Sequence, residues 1–184
     1  FALAEAFAER GPEVTLVAGP VSLKTHHPAI KRIDVESAGE MYQAAMTAFP
    51  SSDAAILCAA VADYRPENAS EQKIKRETER EMTLHLVPNP DIAASLGAIK
   101  REGQVMVGFA LETNDEATHA EGKLKRKNLD FIVLNSLRDQ GAGFRCDTNK
   151  ITIIDNAGGV TSYPLKTKRE VACDIVNKLV TLLK

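Results

Sequence analysis

The chain has 184 residues, 44% of them apolar and 26% charged, with a formal net charge of −2. This is enough for one α/β domain with a real core, and it argues against nucleic-acid binding through overall charge. No apolar run approaches the roughly 18 residues a bilayer span needs, no signal-peptide pattern opens the chain, and three widely spaced cysteines without a CxxC fit reduced thiols, so no membrane association and a cytoplasmic protein are expected.

The first stretch, FALAEAFAERG, reads as a helix already under way, with Ala2, Leu3, Ala6 and Phe7 on one face and Gly11 as its stop. It has no initiator Met and no N-cap, so residues upstream are expected to be missing. VTLVAG (14–19) and IKRIDV (30–35) are strands. Ser37 and Glu40 have capping-box spacing and should open a helix carrying Met41, Ala44, Ala45 and Phe49. AAILCAAV (54–61) is continuously apolar, as a central parallel strand would be. MTLHLV (82–87) alternates and reads as a further strand. Asn89 is expected as an N-cap with Pro90 at the first helical position, for a helix from about Asp91 to Arg101. VMVGFA (105–110) is a strand. Thr113 and Glu116 form a second box for a helix to about Asn128, and DFIVLN (130–135) is a strand. KITIID (150–155) and VTSY (160–163) flank Asn156-Ala-Gly-Gly, a hairpin signal. The amphipathic segment 168–184 closes the chain as a helix.

Strands alternating with helices predict a single domain over residues 1–184. Its fold class is α/β: a Rossmann-like three-layer fold, with a mainly parallel central sheet and a C-terminal β-hairpin and helix. Segments 20–29 and 64–80 should carry the least regular structure. Ligands in such sheets bind at the C-terminal strand ends, which points to 59–63, 108–113 and 135–136.

Each candidate residue has a functional and a structural reading. Asp63, just past a buried strand, could bind a ribose hydroxyl or a metal–phosphate, or cap its own loop. Lys73 and Lys75 lie in a Pro/Asn/Ser/Glu-rich segment that could be a flap delivering a lysine to phosphates, or a solvated loop. Phe109 offers an aromatic face at a strand end, or is a core side chain. Lys123 and Lys127 share a helix face at a spacing where like charges repel. An anion between them would reverse that sign, and the helix dipole also favours cations there. Lysines suit polyphosphates, yet there is no GxxxxGK[ST] and no GxGxxG. His26, His27, His85 and His119 have no metal-ligand spacing. Cys58 reads as a small core residue rather than a nucleophile.

Six stretches then stand in register: AAVADYRP (59–66), KIK (73–75), NPDI (89–92), GFALET (108–113), KLKRKNLD (123–130) and GFRCDTNKITII (143–154). Together they resemble the phosphopantothenoylcysteine synthetase domain, the C-terminal half of a bifunctional coenzyme A biosynthesis flavoprotein. The resemblance covers essentially the whole chain. It implies a homodimeric ligase that uses CTP with Mg²⁺ to join 4′-phosphopantothenate to L-cysteine through an acyl-cytidylate. FMN belongs only to the decarboxylase half, absent from this chain. By motif, the implied nucleotide site is Leu57, Cys58, Ala59, Asp63, Lys73, Asn89, Pro90, Asp91, Ile92, Phe109, Lys123 and Lys127. Asp63 would hold the ribose or the metal, Lys73 would neutralise charge at the reacting phosphate as the catalytic residue, and Lys123 and Lys127 would hold the triphosphate. Phe109 would sit against the base.

The family also carries an upstream Gly-rich turn and an SNHSSG-like motif whose Asn turns over the acyl-cytidylate. This chain begins just after that point, so weak or no turnover is expected from it alone. Two alternatives stay open: a non-catalytic nucleotide-binding or dimerisation domain, and a dinucleotide-dependent oxidoreductase. The second is suggested only by the α/β alternation.

Overall fold

The computed structural model describes residues 1–68, 70, 72, 82–112, 116–136 and 146–183. In chain order, α1 (Ala2–Ala8) leads to β1 (Val14–Ala18) and β2 (Ile30–Asp34), which pair in parallel as a two-stranded sheet. Next come α2 (Ala38–Ala48), β3 (Ala54–Leu57), and the antiparallel pair β4 (Tyr64–Pro66) and β5 (Leu86–Pro88). Then follow α3 (Ile92–Ile99), β6 (Val105–Glu112), α4 (Glu116–Arg126) and β7 (Phe131–Ser136). The chain closes with β8 (Thr148–Asn149), β9 (Ile151–Asp155), β10 (Val160–Ser162), β11 (Lys166–Thr167) and α5 (Lys168–Val180).

The main sheet has the order β10-β9-β7-β6-β3. Strands β3, β6 and β7 run parallel, and β9 and β10 continue antiparallel as the expected hairpin. Gly158 at φ 86° supplies the left-handed residue the tight hairpin turn needs. The alternation of a strand sorts its side chains onto two faces. Val105 and Val107 of β6 join Val171, Ile175 and Leu179 of α5, with Leu3 and Phe7 of α1 packed against them. Met106 and Ala110 face the other way, onto Leu96 of α3 and Ala120 and Leu124 of α4. Each such buried aliphatic contributes roughly 1.5–3 kcal/mol, and the two clusters make the three layers.

Several local expectations are corrected. The run 54–61 is strand only through Leu57, and it lies at the edge of the main sheet rather than its centre. Cys58 is therefore exposed rather than in the core. Only the end of 82–87 is strand, continuing to Pro88, and its partner β4 lies where irregular chain was expected. Helix α3 is capped by Asp91, not Asn89: Asp91 Oδ1 accepts the Ala94 N–H at 3.0 Å, and the helix stops at Ile99. Asn89 is instead engaged by the preceding loop. The Ser37 hydroxyl does cap α2 by accepting from the Glu40 N–H, but Glu40 returns its bond to the N–H of Glu36. Thr113 of the second box lies outside the described residues. A capping box not anticipated, Thr167 with Glu170, opens α5.

Candidate functional site

The site begins where β3 stops. Its four residues pair with Val105–Gly108 of β6, ending at Leu57 beside Gly108. Strand β6 runs on to Glu112, paired with β7 on its other side. On the β3 side those last four residues, about 13 Å of strand, have no described strand partner. The chain leaving β3 has no regular structure over residues 58–63, and the edge of β6 beyond Gly108 that β3 does not cover is the shelf of the site.

The β4–β5 pair returns the chain to this shelf, and Asn89 ties the two approaches together. Its N–H donates to the Asp63 carbonyl at 2.8 Å, and its Nδ2 donates to the Ala62 carbonyl at 2.9 Å. Arg65 Nη1 donates to the Pro88 carbonyl at 2.8 Å and to Asn89 Oδ1 at 3.3 Å. Asp63 thus contributes its backbone carbonyl to the turn. Its exposed carboxylate makes no hydrogen bond or ion pair among the described residues, so loop capping does not account for it. The exposed Cys58 adjoins the same turn.

On the other side, the chain just past the end of α4 comes up against α3: a Cβ on Gly97 would lie 2.2 Å from the Lys127 carbonyl oxygen. Asn128, at φ 51°, ends α4 in the left-handed conformation and donates Nδ2 to the Gly97 carbonyl at 3.0 Å. Lys100 Nζ donates to the Asn128 carbonyl at 3.2 Å and pairs with Asp130 at 2.6 Å; the same Asp130 Oδ2 accepts the Met106 N–H at 2.6 Å. With its backbone fixed this way, Lys127 extends to Asp91, Nζ to Oδ2 at 3.1 Å. Lys123 stands one turn earlier on α4 and is half-buried.

The structure therefore brings Asp63 beside Asn89 and, two residues further on, links Asp91 to Lys127 by an ion pair; Leu57, Cys58 and Ala59 lie on the chain that leads from β3 into the Asp63 turn. Leu57 and Ile92 pack against one core cluster. Phe109 is not brought to that face. It is half-buried against the α5-side cluster, opposite α3 and α4, at the point where β6 loses its β3 partner. Lys73 and Lys75 lie outside the described residues. No group of three or more His, Cys, Asp or Glu among the described residues could hold a metal ion by itself. A single carboxylate such as Asp63 fits Mg²⁺ that arrives with phosphates supplying the other oxygens. The sequence reading missed two positioning residues, Arg65 and Gly97. The isolated glycine inside the SLGAI helix was the available signal for the second.

With this geometry in hand, the likenesses to known proteins are specific. The family model described as "DNA/pantothenate metabolism flavoprotein C-terminal domain" matches residues 1–183. A relative from an unknown prokaryotic organism, named cysteine/cysteine sulfinic acid decarboxylase, is 56% identical over 182 residues, 99% of this chain and 50% of that protein. The coenzyme A biosynthesis bifunctional protein CoaBC of Vibrio parahaemolyticus is 45% identical over 184 residues, 100% of this chain and 46% of its own length. This chain thus spans about half the length of the curated relatives it matches. A crystal structure of the C-terminal domain of a CoaBC protein superposes with a TM-score of 0.82 at 33% identity, covering 99% of this chain and 80% of that one.

Proposed function

Since this chain belongs to the DNA/pantothenate metabolism flavoprotein C-terminal domain family, we propose that it is a phosphopantothenate–cysteine ligase domain of coenzyme A biosynthesis, cytoplasmic and CTP-dependent. The observation that carries this reading is the pair of links made by one short segment, Asn89 to Asp63 and Asp91 to Lys127. A polyphosphate needs point charges and positioning rather than a protein nucleophile, and the shelf offers lysines and a fixed turn.

In this reading Lys123 and Lys127 hold the triphosphate, and Asp63 takes Mg²⁺ or the ribose. The backbone of residues 57–59 and 89–92 lines the nucleotide. Lys73 serves the reacting phosphate, while Phe109, packed on the α5 side of β6, stays outside the contacts made on the α3 and α4 face. The carboxylate of 4′-phosphopantothenate attacks the α-phosphorus of CTP. The bond to the bridging oxygen breaks and pyrophosphate leaves. The amine of L-cysteine then attacks the acyl carbon, loses a proton, and expels CMP as the amide forms. The domain works as a homodimer; Tyr64 and Leu86 on the β4–β5 pair, with nearby Leu84, are 61%, 55% and 58% exposed and form an apolar surface that a second copy would cover.

Calorimetric titration with CTP, ATP and NADH, each with Mg²⁺, tests the site. CTP should bind most tightly. Preferential binding of NADH would replace the ligase by a dinucleotide oxidoreductase. Pyrophosphate release that needs both cysteine and phosphopantothenate, measured on a chain extended to the full length of its relatives, tests the reaction.

A further inference from the structure

The Asp91–Lys127 pair has a form that stability does not require. Its two side chains are 50% and 28% exposed, and an ion pair so open to water contributes little to folding. The neighbouring Lys100–Asp130 pair, 11% and 20% exposed and bonded to the Met106 N–H, already clamps the same helices. Asp91 also divides its carboxylate: Oδ1 accepts the Ala94 N–H at the start of α3, while Oδ2 faces Lys127. If Lys127 departs, the carboxylate keeps a partner at the helix N-terminus and no charge is stranded. The Lys127 backbone, meanwhile, is fixed by Gly97 and Asn128, so only its side chain is free to exchange partners.

We propose that Asp91 is a built-in counter-ion for Lys127, holding the ammonium where a phosphate oxygen would sit until an incoming polyphosphate displaces it. The inference rests on the reading of Lys127 as a polyphosphate ligand. It makes Asp91 a positioning residue with a cost: the carboxylate keeps the lysine aligned and competes with the ligand. A ligand must bring enough negative charge to win Lys127, and Asp91 recaptures the ammonium when the ligand leaves.

The test is titration of wild type, Asp91→Asn, Lys127→Gln and the double variant with inorganic tripolyphosphate. Asparagine caps a helix as well as aspartate does but carries no charge, so α3 is preserved; Asp91→Ser serves if the Asn variant folds poorly. Asp91→Asn should bind tripolyphosphate about two- to five-fold more tightly, the range expected from an exposed ion pair. That gain should vanish in the Lys127→Gln background, which a merely structural role would not produce. If Lys127→Gln binds as well as wild type, the reading of the site falls and this inference with it. If Lys127→Gln weakens binding while Asp91→Asn leaves it unchanged or weaker, the counter-ion inference alone is overturned.

Discussion

Gly97 and Lys127 touch so closely that α3 carries no side chain at the crossing: a Cβ on Gly97 would sit 2.2 Å from the Lys127 carbonyl oxygen and 2.8 Å from its carbonyl carbon. These are backbone atoms at the end of a helix and cannot swing aside. Gly97→Ala gains about 1 kcal/mol of intrinsic helix propensity, yet it forces the helices apart. The overlap should win, with a net loss of about 1–3 kcal/mol in urea unfolding. Because the displaced group is Lys127 itself, polyphosphate affinity should fall as well. A variant more stable than wild type would contradict the packing described.

Lys123→Gln removes the charge of one of the two proposed phosphate-binding lysines and leaves a polar side chain one atom shorter. The proposed triphosphate contact is charge-assisted, so its loss should weaken CTP binding by roughly ten-fold. Affinity is read on a variant whose circular dichroism spectrum and melting temperature show that it is folded. Unchanged affinity in a folded variant would remove Lys123 from the site.

What the sequence revealed and what it hid follow one physical division. Strands β6 and β7 and helix α5 were legible because each buries a long periodic face, and their apolar residues form the two clusters. The end of β3 was not legible. Ala59 and Ala60 extend the apolar run past Leu57, and where pairing stops is decided by register with β6, not by local composition. The two-residue strands β8 and β11 exist only through each other. Asn89 and Asp91 are equally competent caps flanking Pro90, and the choice falls to Asp91 because Asn89 is held by Ala62 and Asp63. The site residues were named by motif; the pairing of Asp91 with Lys127 across two helices has no signature in either segment.

Asp63→Asn tests the metal or ribose role. The Asp63 backbone carbonyl, not its carboxylate, accepts from Asn89, so the loop should survive the substitution and thermal stability should stay within about 0.5 kcal/mol. Binding of the Mg²⁺–CTP complex should weaken, and more so than binding of metal-free tripolyphosphate. A variant that loses stability but binds Mg²⁺–CTP normally would return Asp63 to a loop-capping role.

The hairpin at the far end of the sheet supplies a pH test. Lys178 pairs with Asp155 Oδ2 at 2.8 Å, and Asp155 Oδ1 accepts the N–H groups of Gly159 and Ala157 across the turn. The Lys178 ammonium holds the Asp155 carboxyl below the usual aspartate range, against a smaller upward push from burial and with help from the Gly159 N–H. The folded state thus binds the proton less readily than the unfolded chain. The stabilisation is fully present above the ordinary aspartate pKa of about 4 and drains away as pH falls through it toward the lower folded value. Asp155→Asn should therefore cost about 1 kcal/mol at pH 7, with the gap to wild type closing as unfolding is measured at pH 5, 4 and 3. Asp91, Glu40 and Glu170, also held low, titrate in both proteins and cancel in the difference. A gap that stays constant down to pH 3 would mean that the geometry of the turn, and not the charge of Asp155, holds the hairpin to α5.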